Sequence, residues 1–71
     1  MDKYKVAIVD DDEVALENLS FELGKDARFS LKGTARNGKQ GKKLIAKVQP
    51  DLLFLDVELP DMTGMELLQE I

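Results

Sequence analysis

Leu52-Leu53-Phe54-Leu55-Asp56 is the stretch on which the fold turns. Four apolar residues run without a polar interruption and stop on a carboxylate. A continuous apolar run of this length fits a strand covered on both faces, as in a parallel sheet, better than an alternating, half-wet strand. Val6-Ala7-Ile8-Val9 is built the same way and runs into Asp10-Asp11-Asp12-Glu13. The chain thus contains two buried-type strands, each ending in acid.

The segments between and beyond them read as helices and a weaker strand. After the acidic turn, Ala15, Leu16, Leu19 and Leu23 recur at helical spacing, with Asp11 or Asp12 as N-cap and Gly24 as the stop. Asp12 and Glu13 suit the positive end of that helix. Phe29 to Ala35 reads as a second strand, with Phe29, Leu31 and Gly33 expected on one face. Asn37-Gly38 signals a turn. Gly41, Leu44, Ile45 and Val48 form the next stripe, with Lys42, Lys43 and Lys47 on the wet side, and Pro50 ends it. A last helix is expected from about Gly64, with Met65, Leu68 and Ile71 on its apolar face. The order β-α-β-α-β-α predicts right-handed crossovers and a parallel sheet with helices on both faces. Ligands of such sheets bind beyond the carboxyl ends of the strands. Two of the three strands end there in carboxylates.

The composition narrows the chemistry. With 71 residues the chain holds one small domain with a thin core. It has no cysteine and no histidine, which excludes disulfides, thiolate metal sites and Ser-His or Cys-His nucleophiles. The net charge of −4 disfavours direct binding to nucleic acid. No apolar run reaches membrane-spanning length, and the N-terminus Met1-Asp2-Lys3-Tyr4-Lys5 has no apolar segment behind it, so a cytoplasmic protein is expected. Met65 to Ile71 reads as helix in mid-course, which points to a fragment.

Asp10, Asp11 and Asp56 each lie at or just past a strand end. If the strands are neighbours, the three carboxylates converge and repel, and no Lys or Arg lies in either strand-end segment to offset them. A hard divalent cation would. Mg²⁺ prefers carboxylate, carbonyl and water oxygens, and a carboxylate can itself accept a phosphoryl group.

At this point the residues resemble a known family. Ala7-Ile8-Val9-Asp10-Asp11-Asp12-Glu13 is similar to the first strand and acidic turn of response-regulator receiver domains. Gly33-Thr34-Ala35-Arg36-Asn37-Gly38 resembles their second strand and turn. Asp51 to Leu68, with its D-x-x-x-P-x-x-x-G pattern from Asp56 through Pro60 to Gly64, resembles their third strand, phosphorylation loop and third helix. The resemblance implies a flavodoxin-like (CheY-like) α/β fold. It implies Asp56 as phosphoacceptor from a sensor histidine kinase and Mg²⁺ as cofactor. Asp11 would be a direct ligand, Asp10 would act through water or position the metal, and Asp56 and the backbone carbonyl of Glu58 would complete the set. Pro60 and Gly64 would shape the loop, Gly64 by taking a backbone conformation costly for other residues. The loop wording also resembles receivers joined to LytTR-type DNA-binding domains.

The resemblance covers three of five βα units. The family's fourth strand with its Ser or Thr, its fifth with a Lys, and its switch aromatic have no counterpart here, and Lys39 and Lys42 lie in the wrong element to replace them. The expectation is therefore an N-terminal part of a receiver spanning residues 1–71, with phosphoryl chemistry impaired in this piece. The third strand would be left at a sheet edge and prone to self-association.

Two enzyme readings and one binding reading compete. Gly33 to Lys39 fits G-x-x-x-x-G-K, but Gln40 stands where a phosphate loop needs Ser or Thr. Asp56-Val57-Glu58 approaches the D-x-D of haloacid-dehalogenase-type phosphatases, with Glu in second place and on the wrong strand. The alternative outside enzymology is a receiver-like interaction module without phosphoryl transfer. The expectation is a signalling domain rather than an enzyme.

Overall fold

The structure, a computed structural model, describes residues 3–71; Met1 and Asp2 of the charged N-terminus lie outside the described residues. Six elements follow in order: β1 (Tyr4–Val9), α1 (Glu13–Gly24), β2 (Phe29–Ala35), α2 (Gly38–Val48), β3 (Leu52–Leu55) and α3 (Gly64–Gln69). The strands form one parallel sheet in the order β2-β1-β3. β1 is therefore flanked on both sides. Its Val6, Ala7, Ile8 and Val9 are 0–1% exposed. Burying such side chains contributes roughly 1.5–3 kcal/mol each for the larger ones, so β1 is the centre of the fold.

Alternation along β1 divides the core in two. Val6 and Ile8 meet Leu16 and Leu23 of α1, with Leu19, Phe29, Leu31 and Phe54 packed around them. Val9, on the opposite face, meets Ala35, Leu59 and Leu67, with Leu44 and Ile45 of α2 alongside. Helices thus cover both faces, α1 on one and α2 with α3 on the other.

β2 departs from the sequence expectation. Its register against β1 runs Val6↔Leu31 and then Ala7↔Gly33, which leaves Lys32 as an extra residue. A bulge of one residue flips every later side chain to the other face. Phe29 and Leu31 therefore pack on the α1 side, whereas Gly33 lies against Leu44 of α2.

The helix ends follow local chemistry. Asp12 is the N-cap of α1, accepting from the Val14 and Ala15 N–H groups at 3.0 and 3.5 Å. Gly24 is not a left-handed stop: no glycine has positive φ. α1 closes instead with Lys25 and Asp26 N–H groups bonding the Glu22 and Leu23 carbonyls. α2 starts on Asn37, whose side chain accepts from the Gln40 N–H at 2.8 Å. It ends on Gln49 in the left-handed region at φ 50°, just before Pro50. α3 carries a full capping box, Thr63 and Glu66 each accepting from the other's backbone N–H at 3.0 Å.

α3 also corrects the expected apolar face. It ends at Gln69, and its buried residues are Gly64 and Leu67, while Met65, Leu68 and Ile71 are exposed. Six residues are too few for periodicity to fix a face, and the groove between β1 and α2 selects Leu67.

Candidate metal centre

The parallel ladder sets the site. Beyond the last β1 residue, the Asp10 N–H donates to the Ala35 carbonyl at 3.0 Å, which ties it to the end of β2. The Asp56 N–H donates to the Val9 carbonyl at 2.9 Å, which ties it to the end of β1. Adjacent strands ending at the same level bring their terminal acids together. Asp10, Asp11 and Asp56 each offer a carboxylate oxygen within 4.8 Å of the others; Asp10 and Asp56 are half-buried and Asp11 is exposed. The Asp10 carboxylate also accepts from the Asp12 N–H at 3.0 Å, which fixes the turn between β1 and α1.

The donor set fits a hard divalent cation. Three anionic oxygens with no soft ligand match Mg²⁺. Oxygens on opposite sides of a Mg²⁺ ion lie about 4.2 Å apart, twice the usual bond length, so the spacing needs only a small closure or a bridging water.

Glu58 lies in the loop from β3 to α3. It forms an isolated antiparallel bridge with Thr63, but the two bonds of that bridge belong to its neighbours. Gly64 N–H donates to the Val57 carbonyl at 2.7 Å, and Leu59 N–H to the Met62 carbonyl at 2.9 Å. This is the arrangement in which the paired residue's own N–H and C=O point away from its partner strand. The Glu58 carbonyl is thus not engaged by the bridge.

Gly64 has a role different from the one expected. Its φ is ordinary, but an added Cβ would overlap the Asp56 carbonyl oxygen. Glycine is needed there because α3 begins in contact with the strand end that carries Asp56.

Two residues near the site were not visible in the sequence. Arg36, just past the end of β2, donates from Nη2 to the Asp11 carbonyl at 3.0 Å, so a cation does reach the acidic turn, from a third segment. Asp61 accepts from the Gly38 N–H at 2.7 Å and the Lys39 N–H at 3.0 Å, joining the β3–α3 loop to the start of α2. The Gly38 bond holds the Asp61 carboxyl below the usual carboxylate range; desolvation opposes this and the Lys39 bond adds to the lowering. No periodicity or motif links Asp61 to a helix 22 residues earlier. The stretch Gly33 to Lys39 runs through β2 and a turn of Arg36 and Asn37 into α2, with no glycine-rich loop of the kind that cradles phosphate.

Comparison with known proteins agrees with this architecture. Residues 6–71 match the model of the response regulator receiver domain. A protein-glutamate methylesterase/protein-glutamine glutaminase of Geobacillus kaustophilus is 42% identical over 71 residues, which is all of this chain and 20% of that protein. The transcriptional regulatory protein BtsR of Escherichia coli is 38% identical over 63 residues, 89% of this chain and 26% of that protein. The chain therefore spans about a quarter or less of these curated relatives. Among solved structures, the response regulator domain of Thermotoga maritima CheB superposes with a TM-score of 0.91 at 24% identity, covering 96% of this chain and 51% of that one. The receiver domain of a putative NarL from Mycobacterium tuberculosis gives 0.89 at 27% identity, covering 94% and 54%. The matched family, the parallel β2-β1-β3 sheet and the superposition agree: this chain belongs to the response regulator receiver domain family of two-component signalling.

Proposed function

We propose that Asp56 is the phosphoacceptor of this receiver and that Asp10, Asp11, Asp56 and the Glu58 carbonyl form its Mg²⁺ site. The observation that carries the reading is the convergence of three carboxylates within 4.8 Å at the ends of β1 and β3. A bound Mg²⁺ would supply charge neutralisation for an incoming phosphoryl group. Asp56 then acts as nucleophile: its carboxylate oxygen bonds to phosphorus while the P–N bond of a sensor kinase's phosphohistidine breaks. The imidazole nitrogen keeps the electron pair and takes a proton from solvent. Asp11 and Asp10 would hold the cation, and Arg36 steadies the turn that carries Asp11.

The chain is read as the N-terminal part of a receiver, about three of five βα units. That extent agrees with its covering about half of the solved receiver chains it superposes on. A cytoplasmic setting and a histidine kinase partner follow from this reading; no helix among the described residues is long and apolar enough to cross a membrane. The relatives are named for a methylesterase and for transcriptional regulation, and this chain covers 20% and 26% of their lengths.

The test is a small phosphodonor with Mg²⁺, read by intact mass. A longer chain carrying these residues should gain one phosphoryl group, and its Asp56→Asn variant none. Equal labelling of both would sink the assignment, and absence of labelling in the unaltered chain would favour an interaction module without phosphoryl transfer.

Self-association is part of the same reading. β3 is an apolar edge strand with no charge, proline or bulge to blunt it, whereas the other edge, β2, carries the Lys32 bulge. The 71-residue chain should show concentration-dependent mass in sedimentation; a folded monomer at high concentration contradicts this.

A further inference from the structure

The loop that carries Glu58 leaves β3 at Leu55 and must return to start α3 at Gly64. Within it, Val57 with Gly64 and Leu59 with Met62 make the only cross-loop backbone bonds among those described, and only Leu59 is buried. A loop of this kind has little internal reason to hold one shape. Its outer attachment is Asp61, whose two carboxylate oxygens take the Gly38 and Lys39 N–H groups at 2.7 and 3.0 Å. Those donors belong to the first turn of α2, where backbone N–H groups lack helical partners and favour an anion. Met62, the next residue, lies against Gly38 so closely that a Cβ there would overlap its side chain. α2 itself is anchored, because Gly41 packs on Val9 and Leu67. The attachment thus runs from the loop to the rigid centre of the molecule.

We propose that Asp61 is a positioning residue for the metal centre: it clamps the β3–α3 loop to the start of α2 and so holds the Glu58 carbonyl in place beside the three carboxylates. The inference rests on the reading of that carbonyl as a ligand. Asp61 touches neither metal nor substrate. It acts on the loop in the way that outer partners of metal ligands fix the inner ones.

The probe is Mn²⁺, titrated by electron paramagnetic resonance well below the melting temperature. Three variants are compared with the unaltered chain. Asp61→Ala should weaken Mn²⁺ binding roughly tenfold, the low end for loss of an outer partner. Asp61→Asn, which keeps one acceptor oxygen, should recover part of the loss. Asp51→Ala should leave affinity unchanged, although it also removes a carboxylate bond to a backbone N–H, that of Lys5 at 2.7 Å, at the far end of β3. Hydrogen exchange at the Leu59 and Gly64 amides should accelerate in Asp61→Ala alone. Unchanged Mn²⁺ affinity in Asp61→Ala, or an equal loss in Asp51→Ala, overturns the inference. If the unaltered chain binds no Mn²⁺, the metal reading itself fails, and exchange decides the clamp: faster exchange at Leu59 and Gly64 supports it, unchanged exchange overturns it.

Discussion

β1 and β3 are written alike and housed differently. Each is an uninterrupted apolar run that ends in a carboxylate. β1 has a strand on either side and helices on both faces, and its last four residues are 0–1% exposed. β3 has a strand on one side only; Leu52 is 38% exposed and Leu53, Phe54 and Leu55 are half-buried. An apolar run records the burial a strand is suited to, and the topology decides how much it receives. At the carboxyl ends the two strands become equal again, because the parallel ladder holds Asp10 and Asp56 at one level. There the enclosed strand and the edge strand bring their carboxylates within 4.8 Å.

The contrast can be broken most sharply in the shared core on the α1 side, to which Ile8 and Phe54 both belong. Ile8→Ala should cost about 4 kcal/mol, since Ile8 is fully enclosed. So small a domain has little reserve, and the variant should be largely unfolded by circular dichroism. Phe54→Ala removes more atoms yet should cost about 2 kcal/mol, roughly half the buried-site value, because Phe54 lies on the open edge. Equal losses in denaturant unfolding would remove the distinction between the strands.

Gly64→Ala tests the strand end instead of the strand. The new methyl meets the backbone of Asp56, which cannot swing aside as a side chain would. A cost of about 1–3 kcal/mol is expected from the forced backbone shift, with weaker metal binding alongside. Unaltered stability in Gly64→Ala would show that α3 does not press on β3 as described.

Much of this was legible in the sequence, for local reasons. Val6 to Val9 and Leu52 to Leu55 announced themselves by apolar runs, the α1 cap was narrowed to Asp11 or Asp12 by its chemistry, and the acidic cluster was marked by its place after two strands. What was hidden depended on pairing across the chain. One extra residue at Lys32 reversed the face of Gly33, and nothing in Phe29 to Ala35 marks where a bulge will fall. The α3 stripe chosen from spacing, Met65 with Leu68 and Ile71, gave way to Leu67, which packs with Val9, Ala35 and Leu59. Gly64 read as a residue of special backbone conformation, while its true constraint is the Asp56 carbonyl eight residues away in sequence. Asp61 and Arg36 act on segments 22 and 25 residues distant, where local patterns carry no information.

The proposed divalent-cation site joins the ends of β1 and β3. The most direct measurement is a Mg²⁺ titration of the ¹⁵N-labelled chain, followed by nuclear magnetic resonance. Saturable shifts concentrated at the amides of Asp10 to Asp12 and Asp56 to Leu59 are expected, abolished in Asp11→Asn. Shifts that are absent, that spread evenly over exposed acids such as Glu17 and Glu22, or that persist in Asp11→Asn would contradict it.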